Sequence, residues 1–270
     1  MMLETIDLSP RVGAEIRADA TDLLSGEHAA EIRDILGERG LVLFRQLNLD
    51  DHQQVAFAGT LGEVKDQGED HIYKVTLDKT VTKTADYLLG TFHWHIDGTT
   101  DAIPSRASLL SARHLSETGG QTEWANTYAS YEELPPEEKV AIDGLRVVHS
   151  AETIERVARP SFTEEDVTDW RTRPIRSHPL VWTHVSGRKS LVLGATASHV
   201  EGMEPDASRA LLDHLLEQAT QPQFVYQHEW EVGDLVIWDN TGTMHRVAPY
   251  SADSGRLMHR TTLVGEEPLA

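Results

Sequence analysis

A mainly β fold with flanking helices, a sandwich or a barrel, is predicted by three features of this chain. Short apolar runs bounded by turn residues dominate from Arg106 onward. Helical periodicity is confined to the N-terminal portion and to two later interruptions. The 270 residues contain no repeat and no low-complexity linker, enough for one large core, so 1–270 is read as a single domain.

Taken in order, residues 27–39 (EHAAEIRDILGER) carry a helical period that stops at Gly40, and Leu41-Val42-Leu43-Phe44 follows as a buried strand. Asp50 is placed to cap a second helix through Ala58, ending near Gly59. Strands are expected at 106–113, 145–149, 180–184, 190–193, 224–230, 234–238 and 257–264. Helices interrupt them near 130–142 and 206–219, the latter with Asp206 as cap and Leu211, Leu212, Leu215 and Leu216 as its core stripe. The polar stretches 66–92 and 150–178 fit neither period and are expected to be irregular lid or substrate loops over a site.

The formal net charge is −20, from 24 basic against 44 acidic residues. Such a surface repels phosphate backbones and anionic lipid headgroups, which argues against nucleic acid and membrane as partners. A hydrophobic fraction of 39% is that of a globular chain. With no cysteine, neither a disulfide framework nor a thiolate metal site is available. The acidic segment from Met1 and Met2 through Asp7 lacks a secretory signature, and no apolar run approaches the ~20 residues needed to span a bilayer. A cytoplasmic location is expected.

The chemistry sits in His95-Ile96-Asp97 and the distant His245. On an extended strand residues two apart share a side, so His95 and Asp97 can converge on one ion, with His245 closing the triangle from another strand. Two imidazoles and one carboxylate on one face of a six-coordinate ion leave the opposite face open, an arrangement suited to non-haem Fe(II) and dioxygen. His-x-Asp alone is common, and a lone histidine is more often structural. Context strengthens the reading: Gly233-Asp234 is a turn, Leu235 to Trp238 a strand ended by Asp239-Asn240, and His245 falls just beyond that strand's edge. Arg256 and Arg260, four apart with Met258 between, share one strand face, while Leu257, His259 and Leu263 take the other. Facing an interior they require anions; on a solvated face they would be unremarkable. His93 shares the parity of His95 and Asp97, which makes it a substrate-facing residue or a rival ligand. Trp124 and Trp238 are read as core, and Asn240 as a residue that orients the His245 region.

Trp94-His95-Ile96-Asp97, Gly119-Gly120-Gln121-Thr122-Glu123-Trp124, His178-Pro179-Leu180-Val181, Ser186-Gly187-Arg188, Gly233-Asp234 through Trp238-Asp239-Asn240, His245, and Arg256-Leu257-Met258-His259-Arg260 follow one another in family order. In this set the chain resembles the taurine dioxygenase and 2,4-dichlorophenoxyacetate dioxygenase family of Fe(II)- and 2-oxoglutarate-dependent oxygenases. The resemblance implies a double-stranded β-helix (jelly-roll, cupin-like) core. It implies Fe(II) held by His95, Asp97 and His245, and 2-oxoglutarate held at its distal carboxylate by Arg256 with help from the Thr122 hydroxyl. It also implies consumption of O2, release of succinate and carbon dioxide, and hydroxylation of a C–H bond in a small anionic substrate bound by Arg260. That substrate would be a sulfonate, sulfate ester or carboxylate, with C–S or C–O cleavage where the hydroxylated carbon bears the heteroatom. His71 is a further substrate contact by the same resemblance, and a dimer or tetramer is expected.

The chain departs from the taurine enzymes at three places. Leu89-Gly90-Thr91-Phe92-His93 lacks their asparagine, Gly98-Thr99-Thr100 lacks a bulky residue after the aspartate, and Gly194-Ala195-Thr196-Ala197 lacks an aromatic. A roomier or differently shaped pocket is expected. Two other readings compete: a zinc-type hydrolase or isomerase on the same scaffold and ligands, and a non-enzymatic binding domain with a vestigial site. Arg256 and Thr122 have no purpose in the first, and the full set of cofactor positions weighs against the second.

Overall fold

The computed structural model describes residues 3–269; Met1 and Met2 of the N-terminal segment, and Ala270 at the end of the predicted domain span, lie outside the described residues. The N-terminal part runs β1 (Glu4–Asp7), β2 (Ala14–Arg17), α1 (Ala20–Ser25), α2 (Ala29–Arg39), β3 (Leu41–Phe44), α3 (Asp51–Leu61) and β4 (Tyr73–Val75). After a 3-10 turn over Tyr87–Phe92 come β5 (Ala107–His114), β6 (Thr122–Asn126), α4 (Thr127–Glu132), α5 (Pro136–Ile142) and β7 (Arg146–His149). Then follow α6 (Ala151–Ala158), α7 (Glu164–Thr172), β8 (Arg176–Pro179), β9 (Val181–Thr183), β10 (Lys189–Leu191) and β11 (Ala197–Val200). The chain closes with α8 (Pro205–Ala219), β12 (Val225–His228), β13 (Leu235–Asp239), β14 (Thr243–Val247) and β15 (Leu257–Thr262). The architecture is mainly β with helices around it.

A seven-stranded sheet in the order β1-β2-β3-β13-β5-β15-β4 is antiparallel except for β2 on β3. Facing it is a three-stranded sheet, β12-β6-β14, accompanied by β11-β7-β8 and the β9-β10 pair. The central strands explain their own composition. Val42, Phe44, Leu235 and Ile237 pack outward against Ile32 and Leu36 of α2 and Phe57 and Leu61 of α3. The alternate residues Leu41, Leu43, Val236 and Trp238 pack inward with Trp124 of β6. Strands buried on both faces lose the polar alternation of a surface strand, so β3 and β13 read as continuous apolar runs.

Several expectations are corrected. Asp50 caps α3 through a capping box with Gln53, but the helix runs past the exposed Gly59 to Gly62, drawn on by Leu61, which the core buries. The 130–142 helix is two: Pro135 and Pro136 interrupt it, because a residue before proline is pushed out of the helical region. Glu204, not Asp206, sits at the start of α8, with Pro205 opening the helix; Leu212 and Leu215 are fully buried, whereas Leu211 and Leu216 lie at the edge. The stretch 150–178 is not irregular, since it forms α6, capped by Ser150, and α7, with a Thr163–Asp166 capping box. The buried Glu155 carboxylate ties the two together, accepting from Arg159 at 2.8 Å and Arg173 at 2.9 Å. The stretch 66–92 holds β4 and the 3-10 turn.

Candidate active site

His95 and Asp97 do not lie on a regular strand as expected. His95 makes a single antiparallel bridge to His245, and Asp97 begins a turn. Gly98 makes that turn possible: its φ is +84°, and a Cβ there would meet Ser105 N at 3.1 Å. His245 lies beyond the end of β13, as expected, and within the next strand, β14, paired with Trp124. The bridge joins the two histidines by their backbones, His95 N donating to His245 O at 3.0 Å and His245 N to His95 O at 2.9 Å. Their rings stand 4.1 Å apart, centroid to centroid.

His95 Nδ1 lies 2.8 Å from the His93 carbonyl, which takes its proton and leaves Nε2 as a free lone pair. That Nε2 is 3.9 Å from Asp97 Oδ1, and His245 Nε2 is 4.0 Å from Asp97 Oδ2. One ligand atom from each of the three residues lies within 4.8 Å of the others. Burial pushes the His95 and His245 imidazoles below their ordinary pKa, so both are neutral near pH 7. Burial raises the Asp97 carboxyl, but the Arg260 guanidinium, aided by the Ser108 hydroxyl, outweighs it and holds the group ionised, below the usual carboxylate range. Two neutral imidazoles and an ionised carboxylate, converging in a buried place, are the donor set a divalent metal needs.

Arg256 is 2% exposed, and among the described residues no carboxylate pairs with it. Its Nη2 donates to the Gly120 carbonyl at 3.0 Å, its guanidinium lies 4.7 Å above the Tyr250 ring, and its Nε has no partner. Burial draws its pKa down, offset in part by the Tyr250 phenol. Gly120 makes room for the side chain: at φ +82° a Cβ would stand 2.8 Å from Arg256 Nε. Thr122 lines the same cavity, and its hydroxyl accepts from Trp230 Nε1 at 2.9 Å, leaving its own proton free. The cavity itself is about 40 Å³, with Val75, Leu88, Leu110 and Val247 closing around it.

Arg256 and Arg260 both face this cavity. Arg260 already has a partner, Asp97 Oδ2 at 3.1 Å from its Nη1, and lies 5.0 Å above the Tyr73 ring. His71 is elsewhere: its exposed side chain lines a separate surface cavity with Asp51, His52 and Lys74, so the structure does not bring it to the triad. His93 offers its carbonyl to His95, its ring stands outside the group of three ligand atoms, and burial beside His95 and Arg246 lowers its pKa. A larger cavity of about 870 Å³, around Arg106, His184, Arg188 and Asp239, contains no member of the triad.

Tyr250 and Ser108 were not singled out by sequence. A tyrosine after proline carries no signal, and Ser108 is one of two serines in β5, ASLLSARH, with nothing local to set it apart from Ser111. Asn240 makes no bond to His245 itself: it accepts at 2.7 Å from Trp238 Nε1, whose ring packs on His245, and donates to Ser108 at 3.1 Å. Trp238 is core and site at once, its ring 4.8 Å from that of His245.

Comparison with known proteins gives the same direction. The family described as "Taurine catabolism dioxygenase TauD, TfdA family" matches residues 4–262. The alpha-ketoglutarate-dependent 2,4-dichlorophenoxyacetate dioxygenase of Burkholderia sp. (strain RASC) is 37% identical over 87% of this chain and 86% of its own length. An alkylsulfatase of Acinetobacter baylyi (strain ATCC 33305 / BD413 / ADP1) is 32% identical over 98% of this chain and 86% of its own. The crystal structure of AAD-2 in complex with Mn(II) and N-oxalylglycine superposes with a TM-score of 0.86 and 33% identity over 100% of both chains. By sequence and by fold, this chain belongs to the TauD/TfdA family of dioxygenases.

Proposed function

We propose that this chain is an Fe(II)- and 2-oxoglutarate-dependent dioxygenase that hydroxylates a C–H bond of a small anionic organic molecule. The observation that carries the reading is Arg256, a buried guanidinium with no carboxylate of its own beside a two-imidazole, one-carboxylate cluster. Burying an unpaired charge is costly, and a dicarboxylate co-reactant satisfies it with two parallel charge-assisted hydrogen bonds. When bound, Fe(II) would supply O2 activation: 2-oxoglutarate would be oxidatively decarboxylated to succinate and carbon dioxide, one oxygen atom of O2 going to succinate and the other to the substrate carbon as hydroxyl.

The protein's own residues supply geometry. His95, Asp97 and His245 hold the metal, Arg256 and the free Thr122 proton hold the distal carboxylate, and Val75, Leu88 and Leu110 keep water out. Arg260 binds the substrate's carboxylate, sulfonate or sulfate group while it remains beside Asp97. A zinc hydrolase would need a general base near the metal. Among the described residues around the cavity, the ionisable groups beyond the triad are arginines and Tyr250, which supports the oxygenase reading. The facing of the seven-stranded sheet by β12-β6-β14 supports a double-stranded β-helix within one domain, with Tyr87–Phe92, α6 and α7 as its cover.

The test is succinate release by Fe(II)-loaded protein across sulfonates, alkyl sulfates, aryloxyalkanoates and hydrophobic carboxylates. At least one class should accelerate it, and anaerobic addition of 2-oxoglutarate to the Fe(II) form should give a weak visible band. Metal-loaded protein that neither gives the band nor decarboxylates 2-oxoglutarate with any of these compounds overturns the proposal.

A further inference from the structure

We infer that Trp238, Asn240 and Ser108 form a one-way hydrogen-bond relay that sets how Asp97 presents its carboxylate to the metal, an inference that rests on the metal centre proposed above. The direction of the relay is fixed at its start. An indole can only donate, so Trp238 Nε1, 2.7 Å from Asn240 Oδ1, decides which end of the buried amide is oxygen. The other end, Nδ2, then donates to Ser108 Oγ at 3.1 Å. Having accepted there, Ser108 has its own proton to give, and Asp97 Oδ2 is 3.4 Å away. All three relay residues are within 1% of full burial, so no solvent competes for these protons.

The consequence falls on one oxygen. Asp97 Oδ2 accepts from Ser108 and from Arg260, whereas Oδ1 has no donor and faces His95 Nε2 at 3.9 Å. The relay therefore engages Oδ2, itself 4.0 Å from His245 Nε2, and leaves Oδ1 as the oxygen without a donor, so the plane of the carboxylate is set by Ser108 of β5 as well as by the turn on which Asp97 sits. The same relay starts at the ring that packs on His245, so one buried chain braces two of the three ligands from behind. Trp238, Asn240 and Ser108 are positioning residues, acting on the metal only through Asp97 and His245.

Ser108→Ala removes the donor to Asp97 and leaves the Trp238–Asn240 bond in place. Asn240→Asp keeps an acceptor for Trp238 but cannot donate, so it draws the Ser108 proton away from Asp97. Titration of the metal-free protein with Mn(II), reading the free ion by EPR, should show affinity falling by about 10- to 100-fold in each variant. The double variant should be no weaker than either single one, with the melting of the metal-free protein measured alongside to separate metal affinity from fold. Ser108→Ala with affinity within twofold of the unaltered protein overturns the relay, as does a double variant whose losses multiply. Should Asn240→Asp fail to fold, Ser108→Ala alone decides. Failure of the unaltered protein to bind Mn(II) overturns the metal centre itself, and the relay with it.

Discussion

Replacing Arg256 with Met separates a residue kept for binding from one kept for stability, because the two effects differ in size. Methionine preserves most of the apolar stem over the Tyr250 ring but removes the guanidinium. In the ligand-free protein the change loses the bond to the Gly120 carbonyl, about 1.5–3 kcal/mol for a charged donor. It also loses a cation–π contact of about 0.5–2 kcal/mol. Against these stands the relief of a buried charge with no counter-ion, worth several kcal/mol, so net stability should change by only about 1 kcal/mol in either direction. For 2-oxoglutarate nothing offsets the loss: removing one member of a buried charged pair costs about 2–5 kcal/mol, roughly a 30- to 4,000-fold weaker Kd. Calorimetric titration of the anaerobic, metal-loaded protein with 2-oxoglutarate, beside a denaturant melt of the metal-free protein, measures both. A variant that loses several kcal/mol of stability while its Kd moves less than threefold would show that Arg256 is a structural residue.

Thr122→Val should weaken 2-oxoglutarate by roughly 10- to 150-fold, the worth of one hydrogen bond to a charged group at about 1.5–3 kcal/mol, with metal affinity unchanged, as read in the same titration. Gly242→Ala should destabilise the fold by at least about 1–3 kcal/mol, since a Cβ would stand 1.6 Å from Tyr128 Cε2 in a packed interior; a melt within 0.5 kcal/mol of the unaltered protein would refute this. His149 is held neutral, its pKa pulled by burial and by His178 down to about 3. The folded state therefore binds fewer protons than the unfolded one below pH 6.5, and this share of stability, intact above that pH, is lost as pH falls toward 3. Between pH 7.5 and 5.5 the loss is about 1.4 kcal/mol, and His149→Gln should remove that share of the pH dependence in denaturant melts.

What sequence could reveal followed how local the physics is. β3 and β13 were legible because burial on both faces leaves an unbroken apolar run, and the shared face of Arg256 and Arg260 because strand parity needs no partner to be known. The residue types of the triad were legible as chemistry, though not their setting, since an isolated bridge and a turn stand where a strand was expected. β6 and β14 were harder. Their sequences, TEWAN and TMHRV, place polar groups on the cavity side, so function hides the alternation that marks a strand. α6 and α7 were missed because their charges read as solvated loop, whereas Arg159 and Arg173 are partners of a buried carboxylate. The pairing of Arg260 with Asp97, 163 residues apart in the chain, has no sequence signature at all.

The backbone bridge between His95 and His245 bears on how this protein acquires its ion. Two main-chain hydrogen bonds, at 2.9 and 3.0 Å, join the backbones of the two histidines and set their imidazoles side by side. Domains that collapse only around zinc draw their folding energy from the metal, and chelators denature them. Here main-chain hydrogen bonds and a large apolar core carry the fold, so a chelator should strip a bound metal while leaving the protein's melting little changed.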